Sequence, residues 1–143
     1  MKRSFVVGIV LAVGLGAALA DGDPIKQRRD LMKANGEATK AVVGIMKGAP
    51  FDLAAVKAAL KSYAEAAAKA PALFPDSSKT GDTNALPAIW ENKADFDARF
   101  TKFASDVDAA STAIVDQASF KATMPGVLKN CGGCHEQYRA KKS

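Results

Sequence analysis

The sequence predicts an all-α fold, an antiparallel four-helix bundle. Three observations predict it. Alanine is heavily used, while Val, Ile and aromatic residues are sparse beyond the first twenty positions, which favours helix over sheet. Apolar residues recur at steps of three and four over long stretches. Proline- and glycine-bearing segments divide those stretches into four. The 143 residues suffice for one domain. With 48% hydrophobic and 24% charged residues, disorder and low-complexity scaffolds are excluded.

The first twenty residues stand outside this pattern. Lys2 and Arg3 precede an uncharged apolar run from Phe5 to Leu19, and Ala18-Leu19-Ala20 offers a small-x-small cleavage site before the polar Asp21-Gly22-Asp23. That is the layout of a secretory signal peptide. Residues 1–20 are expected to be cleaved and residues 21–143 to form the exported domain. The competing reading is a retained anchor, for which the run is near the lower length limit. No later stretch is apolar enough to cross a bilayer, so no membrane attachment is expected after cleavage. Losing Lys2 and Arg3 takes the formal net charge from +5 to +3. That is too weak to argue for nucleic acid, and no basic stripe with interleaved aromatics supports it.

Asp23-Pro24 reads as an N-cap followed by a first-turn proline. The first helix then runs to Lys47, where Gly48-Ala49-Pro50 stops it. Ile25, Met32, Val43 and Met46 hold to one face, with Thr39 on the same stripe. Asp52 caps the second helix, which carries Leu53, Val56, Leu60, Tyr63 and Ala67 and ends near Ala70, ahead of Pro71. Residues 71–87 form a long connection with Pro71, Pro75, Gly81 and Pro87, in which Leu73 and Phe74 are apolar islands. A loop this long in a small domain is functional or crosses the end of a bundle. The third helix shows the cleanest seam: Phe96, Phe100, Phe103, Val107, Ala110 and Ile114 alternate steps of four and three. Its three phenylalanines read as core, and Trp90 is expected in its first turn. The fourth segment runs from about Ala118 to Lys142. Pro125-Gly126 interrupts it, so its start is expected to be a separate turn or a kink.

Chemistry concentrates at the C-terminal end. The chain has two cysteines and one histidine, which excludes a disulfide-dense scaffold and any multi-imidazole zinc site. Cys131-Gly132-Gly133-Cys134-His135 is Cys-x-x-Cys-His, the attachment signature of a c-type haem. Positions i, i+3 and i+4 share one helix face. Two thiols can therefore form thioethers with the haem vinyl groups while His135 faces the iron. Three other readings compete. A redox dithiol would want a βαβ context. A disulfide across so short a loop would constrain the unfolded chain little. Zinc would want at least one more protein ligand. One covalent haem c is expected. Gly132 and Gly133 each cost the last helix about 1 kcal/mol, so that helix is expected to depend on the haem. Tyr138 and Arg139 extend the same face. Their plainer readings are bundle core and a solvated cation.

Over the whole mature length the chain resembles the class II cytochromes c, the cytochrome c′ family. The likeness is carried by Arg28-Arg29-Asp30-Leu31-Met32-Lys33, Leu73-Phe74-Pro75, Ala85-Leu86-Pro87-Ala88-Ile89-Trp90, and the C-terminal stretch from Cys131 to Arg139. Pro125-Gly126 departs from the family's usual aromatic-Gly stretch, and Met124 stands where Phe is common. The resemblance implies a role for Arg28 at a haem propionate, with Arg29 at the next position, where Gln is frequent. It puts Met32 at the distal position over the iron, Phe74 and Trp90 in the haem pocket, and Thr83 and Asn84 where the loop approaches the propionates. It also implies a choice. In one branch a first-helix methionine ligates the iron beside the histidine, and the protein transfers electrons. In the other the iron is five-coordinate and binds NO or CO. The expectation is a periplasmic electron carrier with His135 and Met32 as axial ligands. The alternative is a gas-binding protein with His135 alone. No enzymatic activity is expected, since no second histidine or acid–base pair flanks the distal face. The implied partners are periplasmic redox proteins, and a homodimer is implied by the family's habit of pairing through its first two helices. Arg139, Lys141 and Lys142 read either as cations at a helix end or as part of a patch for an acidic partner.

Overall fold

The computed structural model describes residues 22–141. The expected signal peptide and Lys142 lie outside them. Helix α1 spans Pro24–Met46, and the Asp23 carboxylate accepts from the Ile25 amide, as the sequence indicates. Helix α2 spans Leu53–Lys69 and is capped by Asp52 through the Ala55 amide. Two 3₁₀ turns follow, Ala70–Leu73 and Asp76–Ser78. A single helical turn, α3 (Ala88–Glu91), precedes α4 (Lys93–Ala113). The last helix, α5, spans Gln117–Tyr138. The long helices pack in sequence, α1 on α2, α2 on α4 and α4 on α5, in a four-helix bundle.

Four sequence expectations are corrected. Trp90 does not open the long third helix. It belongs to α3, and Asn92 leaves helical geometry (φ −124°, ψ 45°) before α4 begins. The face of α1 is also different: Arg28, Val42 and Ile45 are buried, Val43 is only half-buried and Met46 is 42% exposed. Ile25, Met32, Thr39 and Met46 form a strict seven-residue repeat, which drifts around a straight helix by roughly 20° per heptad. The far end of that stripe has turned to solvent. Pro125 does not interrupt α5. A capping box between Asp116 and Ser119 starts the helix, and buried Phe120, Met124 and Val127 hold one face through the proline. Packing on both sides outweighs the loss of one backbone bond. Finally, α5 stops at Tyr138, because Arg139 turns extended (φ −125°, ψ 132°) and bridges to Ala85.

Pro125→Ala is therefore expected to raise unfolding free energy by about 1–3 kcal/mol. The gain would come from the restored bond to the Lys121 carbonyl, read by chemical denaturation of the haem-loaded protein. A loss of stability would mean that the proline's fit, not helix regularity, dominates there.

Two apolar clusters fill the interior. The larger joins Val42, Ile45, Val56, Leu60, Tyr63, Phe103, Val107, Ile114, Phe120, Met124 and Val127, with Cys131 packed against it. The smaller joins Ala70, Ile89, Phe96, Phe100 and Tyr138, with Met32, Phe74, Trp90 and Cys134 packed against it. The two cysteines thus sit at the junction of the clusters. The long connection closes one end of the bundle. Gly81 makes its turn at φ +123°, where a Cβ would also lie 3.0 Å from the Ile25 side chain. Beyond α5 the chain pairs with this connection: the Leu86 amide donates to the Tyr138 carbonyl (3.0 Å) and the Ala140 amide to the Asn84 carbonyl (2.8 Å).

Candidate functional site

A cavity of about 370 Å³ opens between α1, α4 and α5, within the size range of small-molecule and cofactor sites. Met32, Asn35, Gly36 and Thr39 line it from α1, Phe100 and Phe103 from α4, and Leu128, Cys131, Cys134 and His135 from α5. Arg99 and Arg139 stand at the same wall. Helical spacing explains the α5 contribution, since one turn delivers both thiols and the imidazole together. Burial pushes both thiols above their ordinary pKa, with Arg99 partly opposing this at Cys134. Burial also lowers the His135 pKa, helped by the charge of Arg139. The imidazole is thus biased towards its neutral form, the one able to ligate a metal.

Gly36 leaves room on the α1 wall: a Cβ there would meet no atom within 4 Å. Thr39 is pinned, its hydroxyl sharing a 2.7 Å hydrogen bond with the Tyr63 hydroxyl. Phe100 and Phe103 are core residues as expected, and they also form cavity wall.

The other expected site residues gather beside the cavity rather than in it. Arg28 is only 4% exposed. Its Nη1 donates to the Leu73 carbonyl (2.9 Å) and to Ser78 Oγ (2.7 Å). Its Nη2 donates to the Ser78 carbonyl (3.0 Å) and to Thr83 Oγ1 (2.8 Å). The guanidinium also lies 4.6 Å from the Phe74 ring centroid. Among the described residues no carboxylate forms an ion pair with it. Burial lowers its pKa, with Asp23 partly opposing. Trp90 Nε1 donates to the Phe74 carbonyl (3.0 Å), which ties α3 to the connection. Arg29 points elsewhere and pairs with Asp82 at the surface. Asn84 is exposed, and its carbonyl serves the C-terminal bridge. Tyr138 is buried, stacked edge-on to Phe96 at 5.3 Å, and its hydroxyl donates to Asp95.

Sequence reasoning missed Ser78, Gly36 and Arg99. A glycine inside a helix was the available signal for Gly36. Ser78 and Arg99 owe their part in the site to contacts across elements, and for Arg99 the one local signal was the i,i+4 pair with Asp95.

The site is therefore a Cys-x-x-Cys-His turn on the last of four helices, facing an apolar cavity that a methionine of the first helix also lines. The family described as Cytochrome C′ matches residues 23–139. The chain belongs to the cytochrome c′ family. Its similarity to cytochrome c′ of Rhodopseudomonas palustris is 50% identity over 145 residues, covering all of this chain and 99% of the relative. To cytochrome c-556 of the same organism it is 38% over 148 residues, covering 99% of each chain. The solved cytochrome c′ from R. palustris superposes with a TM-score of 0.82 at 52% identity, over 85% of this chain and 99% of that one. A structure of oxidised R. palustris cytochrome c556 reaches 0.77 at 40% identity, over 85% of this chain and 98% of that one.

Membership in the cytochrome c′ family brings one covalently attached haem c. The donor set fits it: two thiols on one helix face, an imidazole biased towards neutrality beside them and apolar walls around them. The chain is a monohaem cytochrome of the cytochrome c′/c-556 group. Among the described residues no helix is long and apolar enough to cross a membrane.

Proposed function

We propose that this protein carries single electrons in the periplasm through a haem iron held by His135 and Met32. One observation carries the reading: the Met32 thioether on α1 and the His135 imidazole on α5 line the same cavity. In this reading Cys131 and Cys134 hold the haem covalently. Bound haem supplies one-electron chemistry at its iron, and a thioether ligand raises its potential. Arg28 binds a propionate. Its burial without a carboxylate partner supports that role, since a buried cation wants an anion. Thr83, Phe74 and Trp90 hold Arg28 in place, and Tyr138 anchors the far end of the motif helix. Arg29, paired with Asp82 at the surface, and the exposed Asn84 take no direct part in this reading, and Arg139 sets charge at the proximal wall. Arg139 and Lys141 belong to a face for an acidic redox partner, and the first two helices pair two copies into a homodimer. The signal-peptide layout of residues 1–20 supports export.

A second reading has one observation in its favour. Identity to the relative named cytochrome c′ is 50%, against 38% to the one named c-556. In that reading Met32 packs without ligating, His135 is the only axial ligand, and NO or CO binds the open side.

Met32→Ala separates the two. The parent protein is expected to be low-spin and unchanged by CO. The variant is expected to become high-spin and to bind CO, in visible absorption spectra of both oxidation states. A parent that is already high-spin and shifts with CO would transfer the assignment to the gas-binding reading.

A further inference from the structure

Arg99 has no place in the haem motif, yet it is fastened to it. Its Nη1 donates to the Gly133 carbonyl (3.3 Å), a residue between the two cysteines in sequence, and its Nη2 donates to Gln137 Oε1 (2.7 Å). Its Nε donates to Asp95 Oδ2 (2.7 Å), one helical turn earlier on α4. The same carboxylate oxygen accepts from the Tyr138 hydroxyl. The guanidinium carbon lies 5.5 Å from the Tyr138 ring centroid. All three guanidinium nitrogens are engaged, so the charge is held in one place, unlike that of a free surface arginine. It is held at the wall of the haem cavity.

We propose that Asp95 and Arg99 form a positioning pair that fastens the haem-bearing turn to α4 and sets the electron affinity of the site. The inference rests on the electron-carrier reading but not on whether Met32 ligates. Taking up an electron lowers the positive charge inside the cavity by one. A fixed cation at the wall stabilises the reduced protein, and a fixed anion opposes it. Arg99 is half-buried at an apolar wall, which weakens the screening of its charge, whereas Asp95 is exposed and its field is screened more strongly. Asp95 orients the guanidinium and partly neutralises it, so the two residues pull in opposite directions. Arg139, at the same cavity, adds to the field of Arg99 and remains in every variant below.

The test is the midpoint potential of the haem-loaded protein in three variants. Arg99→Gln is expected to shift the reduced-to-oxidised ratio at fixed ambient potential several-fold towards oxidised. Asp95→Asn is expected to shift it towards reduced, by a smaller factor. A purely structural pair predicts otherwise, since either substitution breaks the same contact and both should move the ratio the same way, or not at all. That outcome overturns the proposal. Arg99→Lys keeps the cation but loses the fork. Its potential should stay near the parent's while amide exchange quickens over residues 132–137. A lysine variant that shifts as far as the glutamine variant also overturns it. So does a shift accompanied by a changed spin state, because loss of an iron ligand would then carry the effect. Met32 ligation is read separately from the spectrum of the parent, so the two ideas fail independently.

Discussion

Replacing Arg28 by methionine is expected to lower the unfolding free energy by about 2–4 kcal/mol. The size follows from what the guanidinium holds. It donates to two carbonyls and two hydroxyls spread over Leu73, Ser78 and Thr83, and Ser78 is itself 1% exposed. Methionine matches the apolar stem but leaves buried acceptors unpaired, each a desolvation cost. The Phe74 ring also loses its cation. Chemical denaturation of the haem-loaded protein measures the loss, and hydrogen exchange should quicken over residues 73–83. Arg28→Lys should recover only part of it, because an ammonium cannot reproduce the fork. A methionine variant within about 0.5 kcal/mol of the parent would mean that the connection is held by its own turns.

Removing both thiols is the other large effect. Cys131→Ala/Cys134→Ala protein should retain no haem on a denaturing gel and should unfold at least roughly 10 °C below the holo form. The reasoning is local and tertiary together. Gly132 and Gly133 weaken α5 by about 2 kcal/mol combined, and both are exposed, so packing does not repay them. The cavity beside them, about 370 Å³, leaves its Met32, Phe100, Phe103 and Leu128 walls without the dispersion contacts that a filled site provides. Circular dichroism during heating checks it. Equal melting temperatures for variant and holo protein would sink the idea that haem completes the fold.

The elements that were legible in the sequence are those set by neighbours a turn apart. Asp23 and Asp52 cap α1 and α2 because an N-cap carboxylate needs only an amide two or three residues ahead. The seam from Phe96 to Ile114 was readable because every member points to one face, and all of its members are buried. That one turn brings Cys131, Cys134 and His135 to a single face was readable for the same reason. The family resemblance added Met32, which the structure brings to the cavity wall beside the motif. Pro125 was misread because local propensity disfavours a helical proline, whereas Phe120, Met124 and Val127 pack the helix on both sides of it. Trp90 was misread because the break at Asn92 serves the docking of α3, which no nearby residue announces.

By itself, then, the sequence determined the four long helices, the caps of the first two and the Cys-x-x-Cys-His turn, since these depend on spacings of two to four residues along one chain. Only the tertiary structure decided what surrounds that turn. Arg28 meets Ser78 and Thr83 across some fifty residues, and Arg99 meets Gly133 and Gln137 across more than thirty. Such contacts form only when whole helices pack, because one helix cannot supply both partners and the chain between them leaves no periodic trace.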